Sequence, residues 1–285
     1  MARRVIITAD DFGLAIPVNE AVEIAHRNGI LGSASLMVAE DAAADAVMRA
    51  RRLPALRVGL HVVVVDGRPA LPPAMIPALV DAAGRLRVDI VRTGVRIFFD
   101  PAIRRQLRAE VRAQFEAFRA TGLRLDHVDA HHHMHLHPTV LSAILAIAPE
   151  FGVRAMRLPH EPLRAAPPRS LRQRLTWLGR SIFLAPWIAL VRWRLHRAGI
   201  ACNTYILGLG DTGAMGEETV LRLVNALPEG LTEMYFHPAT ASSCPASLPM
   251  PVERHEAELR ALCSWRVRAA LEDARATRVS FSELR

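Results

Sequence analysis

The chain has 285 residues, 51% hydrophobic and 22% charged, which suits a packed core and excludes a wholly disordered chain. Its net charge is +8 and every one of its 36 basic residues is arginine, which rules out a catalytic lysine or Schiff base and leaves anionic surfaces or phosphorylated substrates open. No compact basic and aromatic nucleic-acid module occurs, so nucleic acid is not an expected partner, and Cys202, Cys244 and Cys263 match neither a zinc finger nor a disulfide framework.

In chain order, residues 4–9 read as a short strand closed by the turn Asp10-Asp11-Phe12-Gly13. Residues 17–28 follow as a helix with Gly29 at its end, then a strand at 33–38, a helix at 41–52 and a strand at 57–65 interrupted by His61. A Pro- and Gly-rich passage, 66–94, reads as a long functional loop, and 101–121 as an amphipathic helix. Read as a strand, 127–137 puts His127, Asp129, His131, His133, His135 and His137 on one face. Beyond it come a helix at 138–150, strands at 153–157, 204–207 and 232–236, a helix at 217–226 within that series, helices through 253–276, and a last strand at 278–281. The alternation implies a parallel sheet, and seven or eight such units favour an α/β fold of one domain over 1–285, a single TIM-like (β/α) barrel, distorted or incomplete. No dinucleotide or phosphate-loop fingerprint supports a Rossmann reading. The N-terminus lacks a secretion signal, which gives a cytoplasmic expectation.

The unusual polar residues fall at the C-terminal ends of these strands: Asp10 and Asp11, His61, His131 and its neighbours, Arg154 and Arg157, Asp211, and His237. In a parallel barrel those ends converge on one face. Each has a plain alternative: a helix N-cap for either aspartate, a core histidine for His61, a turn for His237-Pro238, a surface metal scavenger for the histidine run. Their joint occurrence at five strand ends favours a pocket. One carboxylate and two imidazoles are a common ligand set for a catalytic divalent ion, magnesium or zinc, with a second carboxylate left to take a proton and a histidine to give one. That inventory describes metal-assisted amide hydrolysis; a metal-binding protein without activity is the rival from another class.

The stretches Thr8-Ala9-Asp10-Asp11-Phe12-Gly13, Ser33-Ala34-Ser35-Leu36-Met37-Val38, Gly59-Leu60-His61, His127 to His135 and Phe236-His237-Pro238-Ala239 resemble the YdjC-like carbohydrate deacetylases, in family order. The resemblance implies a barrel-like fold, removal of acetyl groups from N-acetylated sugars such as chitooligosaccharides, and one divalent ion. It also implies that Asp11, His61 and His131 hold that ion, that Asp10 is the general base and His237 the general acid, and that Arg157 positions substrate or stabilises charge. Asp211 and His133 are further candidates for substrate contact.

A departure lies at about 160–200, an apolar and basic amphipathic helical insertion with three of the chain's four tryptophans, Trp177, Trp187 and Trp193. Its apolar run is too short to span a bilayer but suits a membrane interface, with a homodimer contact or a cover over the barrel as the alternatives. This makes the chain similar to the hopanoid-biosynthesis-associated, HpnK-like branch, which implies an N-acetylglucosaminyl lipid as substrate, contacts from Trp177 and Trp187, and work at the inner face of the membrane.

Overall fold

The computed structural model describes residues 2–162, 171–241 and 250–284, and of the side chains between 171 and 182 only Gly179. Cys244 therefore lies outside the described residues, as does the side chain of Trp177. The strands are β1 (Arg3–Phe12), β2 (Ser33–Leu36), β3 (Arg57–Val62), β4 (Leu125–Ala130), β5 (Tyr205–Leu207), β6 (Gly230–Phe236) and β7 (Ala276–Arg278). The helices are α1 (Ile16–Asn28), α2 (Ala43–Arg51), α3 (Ile90–Phe99), α4 (Pro101–Ala120), α5 (Pro138–Ile147), α6 (Leu171–Arg197), α7 (Glu217–Asn225), α8 (Val252–Cys263) and α9 (Trp265–Asp273). The expected α/β architecture is present: a parallel sheet in the order β4-β3-β2-β1-β6-β5, with β7 pairing the start of β1, curls into a TIM-like half-barrel surrounded by helices.

The gap between β4 and β5 is spanned by the stretch 153–160, of which the sequence reads 153–157 as a strand. It makes only isolated bridges, Val128 with Met156 and Ala155 with Ala201, and the Asn203 side chain completes the contact by bonding both backbone groups of Leu158. Buried backbone groups must be paired, and here a side chain supplies what a ladder would.

Register separates the two faces of the sheet. Ile7, Ala9, Ala34, Leu36, Val58, Leu60, Val128 and Phe236 pack outward against the helices in one core. The inward face starts apolar, with Ile6, Ala155, Leu231 and Phe281 as a plug. Above the plug it turns polar: Thr8, Ser35, His127, Asp129, Arg157 and Glu233 are all buried. The active end of the barrel stands on this polar layer.

Two expectations change. The 66–94 passage is folded on itself through antiparallel bridges of Leu86 to Gly67 and to Val80, and it runs into α3, which begins where the Asp89 carboxylate accepts from the Arg92 N–H. The histidine run is not one strand. β4 stops at Ala130, and His132 and His133 adopt φ of 51° and 53°, so the chain winds into a tight turn over His131–Leu136. The left-handed backbone at both positions breaks the two-residue alternation, and only His127 and Asp129 share the strand face.

Candidate metal centre

β1 delivers two adjacent carboxylates to the same cavity, which regular alternation forbids. The reason is local. Asp11 has φ of 61°, and the pairing of β1 with β2 slips between Ala9 and Phe12. The strand thereby bends at its last turn, a conformation that Asp tolerates better than most residues. The turn is locked by Asn19, whose carbonyl accepts from the Gly13 N–H at 2.8 Å while its amide donates to Ala42 and Asp45.

Asp11 Oδ1 stands 3.4 Å from His61 Nε2 and 3.1 Å from His131 Nδ1. All three residues are buried, and the two rings meet edge to face with centroids 5.5 Å apart. That oxygen lies between two imidazole nitrogens yet has no properly formed hydrogen bond. An orphaned carboxylate oxygen facing two imidazoles fits a divalent ion, since Asp11, His61 and His131 offer ligand atoms within 4.8 Å of one another. His61 is aimed by its other nitrogen, which bonds Asp129 Oδ1 at 2.8 Å across the β3–β4 register. This is the carboxylate–histidine support that metal sites use to fix ring orientation.

The charges make the same point. Four buried carboxylates, Asp10, Asp126, Asp129 and Glu233, face Arg157 and His127, and a fifth, Asp11, faces only the imidazoles of His61 and His131. Burial works against a charged His61, but the Asp129 carboxylate that it bonds, with Asp11 beside it, outweighs that and pushes the imidazole up to about 10. Burial likewise opposes a charged Asp11, yet His131 and His61 hold it well below the carboxylate range. A divalent cation would take over this role and leave both imidazoles neutral as ligands.

Arg157 is fully buried beneath this layer. It grips Asp10 with both terminal nitrogens, at 2.6 and 2.7 Å, reaches Asp129 at 2.9 Å and pairs with Glu233 through Nε and NH2 at 3.0 and 2.8 Å. It was expected to position substrate or stabilise charge; fully buried, it orders the carboxylates around it. The bidentate fork is why an arginine, and not a point charge, occupies the centre. Glu233, whose carboxyl burial pushes up against the pull of Arg157, also accepts from Thr8 Oγ1 at 2.9 Å.

His237 continues β6 past Phe236, the partner of Ala9, and so stands next to Asp10 on the neighbouring strand. Glu258 accepts from its backbone N–H at 2.6 Å, leaving the half-buried ring directed at Tyr235, 5.5 Å between centroids. His133 lies against the other side of Tyr235, at 5.3 Å. Burial first, then Arg157, depresses His133 well below the histidine range; burial takes His135 to about 3, so both rings are neutral. Neither joins the ligand group, whereas His132 pairs with Asp66 on the rim at 3.3 Å. Asp211 sits in the turn after β5, paired with Arg222 at 2.8 Å, and the adjoining Thr212 hydroxyl meets the Tyr235 hydroxyl at 2.6 Å. Trp187, expected on the substrate, spends its indole N–H on the Leu136 carbonyl at 2.9 Å and ties α6 to the histidine turn.

Glu233, Tyr235 and the orienting role of Asp129 were not anticipated. The signal was the alternation of β6, in which Leu231, Glu233 and Tyr235 share a face; a charge there reads as solvent-facing unless the barrel interior is known to be polar.

A sequence profile described as YdjC-like protein matches residues 4–273. A carbohydrate deacetylase of Brevibacillus brevis is 38% identical over 150 residues, 53% of this chain and 57% of that protein. One from Geobacillus stearothermophilus is 37% identical over 171 residues, 60% of this chain and 64% of that protein. The chain thus matches less than two thirds of the length of either. A third, from Thermoanaerobacter pseudethanolicus, is 28% identical over 82% of this chain and 80% of its own. Among solved structures, a protein of Enterococcus faecalis V583 named for cellobiose-phosphate cleavage superposes with a TM-score of 0.73 at 24% identity, covering 99% of this chain and 98% of that one.

Proposed function

The chain belongs to the YdjC-like family, and from that premise we propose that it is a metal-dependent carbohydrate deacetylase, hydrolysing the N-acetyl group of an amino sugar. The observation that carries this reading is the meeting of Asp11, His61 and His131 around one unsatisfied carboxylate oxygen, with Asp10 and His237 on adjacent strands beside it. Names of the relatives support the substrate class. Asp11, His61 and His131 would hold the ion, magnesium or zinc; two imidazole nitrogens weight the set towards zinc. When bound, the ion supplies a Lewis acid for the acetyl carbonyl and makes water acidic enough to lose its proton near neutral pH.

Asp10 takes that proton. Its two oxygens are pinned by Arg157, and each retains a lone pair for the incoming hydrogen. The clamp fixes where the base points, which is worth more than an unrestrained carboxylate. His237 gives a proton to the departing amine from the opposite side, its main chain anchored by Glu258 and His255. The finer substrate reading is an N-acetylglucosaminyl lipid, with a hopanoid as the apolar part, met at the inner face of the membrane. The arginine-rich α6 beside the histidine turn supports it, with Phe183 at 83% and Trp193 at 52% exposure.

Acetate release from di-N-acetylchitobiose and from an N-acetylglucosaminyl lipid tests both levels. Asp10→Asn should retain the ion and lose at least about a hundredfold in kcat, the lower end of what a general base contributes. Turnover of neither substrate by metal-loaded protein would overturn the activity, and efficient turnover of the soluble sugar alone would overturn the lipid.

A further inference from the structure

Helix α3 is turned inside out. It buries Thr93, Gly94 and Ile97 and presents Val91 at 76%, Val95 at 54%, Phe98 at 45% and Phe99 at 71% exposure, with Val88 at 69% just before it. A monomer that leaves so many large apolar side chains together in water has a use for them. The face is continuous with the mouth of the site. Ile90, Val91, Gly94, Val95, Phe98 and Phe99 line an open groove of about 350 Å³ whose other wall is Met134 and His137, on the turn that carries His131. α6 abuts the same turn from its own side, through Trp187 to Leu136, and holds the following helix α5 through Arg194 to Ser142 at 2.9 Å.

We propose that α3 is the docking face of the protein for an anionic lipid bilayer, its apolar stripe entering the interface and its arginines meeting lipid phosphates. The inference deepens the lipid-linked reading of the substrate, and it rests on that reading only for why the site should face a membrane. Charge selects the occupant. Between Ile90 and Phe99 there is no carboxylate, and Arg92 lies in the stripe between Val88 and Val95. α6 has no carboxylate in 27 residues and six arginines. Asp89 and Asp100 bound the stripe and offset Arg92 and Arg96, so the selecting charge is that of α6, which a second copy's α6 has no acid to meet and a negative membrane surface attracts. No helix among the described residues is long and apolar enough to cross a membrane, so the contact is peripheral.

Co-sedimentation with phosphatidylcholine vesicles, with and without phosphatidylglycerol, tests this on the intact metal-loaded chain. Wild type should bind the anionic vesicles more tightly than the neutral ones. The double variant Val91→Glu/Phe99→Glu should lose about tenfold or more in partitioning, since it puts two charges where apolar groups insert. Trp265→Glu, which alters an equally protruding side chain on α9, should bind like wild type. Wild type left in the supernatant at low salt, an undiminished double variant, or a dimer in light scattering that Phe99→Glu dissociates would each overturn the proposal. Acetate release from a soluble sugar, read in parallel, separates the two ideas: deacetylation without vesicle binding rejects docking alone, and binding without deacetylation rejects the activity alone.

Discussion

Ser35 has one hydroxyl proton, and its destination decides the charge of a buried histidine. The proton goes to Asp129 Oδ2 at 2.8 Å, because an ionised carboxylate only accepts. His127 Nε2, 3.0 Å from the same hydroxyl oxygen, must therefore donate, and its Nδ1 must donate to Asp126 at 2.9 Å. His127 is an imidazolium: burial opposes the charge, but the bond to Asp126 and the surrounding carboxylates raise it above the usual 6.5. Burial also opposes ionised Asp126, and His127 outweighs it to bring that carboxyl below 3.8. A raised histidine adds stability that is complete below 6.5 and drains as pH climbs through its folded value; a lowered aspartate adds stability that is lost as pH falls through its own. Asp126→Asn should thus cost roughly 3–5 kcal/mol near pH 6, an imidazolium left without its partner, and visibly less at pH 10, in urea unfolding followed at both pH values. Asp129→Asn acts differently, misdirecting His61. A loss of about 10- to 100-fold in zinc affinity by calorimetry is expected, and unchanged affinity would remove Asp129 from the support of the ion. The cluster of Asp11, His61 and His131 was legible in the sequence because Asp, His and His at successive strand ends have few cheap explanations. Glu233 was not, because one acidic residue in an alternating strand looks the same whether its face meets water or a sealed interior.

Elements fit around these side chains with little room. A Cβ built on Gly59 would come within 2.5 Å of the His127 ring, which is bonded at both nitrogens and cannot swing aside. Gly59→Ala should therefore destabilise by about 1–3 kcal/mol and weaken metal binding together, because β3 carries His61 two residues on; a melt and a metal titration on one sample would show whether the effects travel together. The bounds of α1 and α4 and the start of α5 follow from hydrophobic period and from Pro101 and Pro138, whereas β1 runs on to Phe12 through the turn expected at Asp10. The histidine turn and α3 do not follow. Two left-handed residues, His132 and His133, were enough to misplace four imidazoles, and α3 defeats periodicity because its apolar stripe points outward, so amphipathicity there does not mark a buried face.

At the scale of the whole molecule the barrel trades an apolar interior for an ionised one. Such a layer is held by mutual compensation, and removing a divalent ion from it should loosen far more than three ligands. Chelation is expected to lower the melting temperature by about 5–10 °C at saturating metal, with Asp11→Asn insensitive to the chelator; equal melting curves with and without metal would show that nothing binds. Parallel topology was readable from the alternation of segments, whereas the weak seam at 153–160 was not, since only the side chain of Asn203 distinguishes it from an ordinary strand.

The buried hydrogen bonds form one unbroken path. It starts at His61, beside Asp11, crosses Asp129, Ser35 and His127, and ends where Asp126 accepts from the Ser282 backbone N–H at 3.0 Å. Ser282 belongs to the last turn of the described chain, at the opposite mouth of the barrel. Its amide should exchange with deuterium more slowly once metal is loaded, which makes the carboxyl terminus a remote gauge of occupancy that needs neither substrate nor label in the cavity.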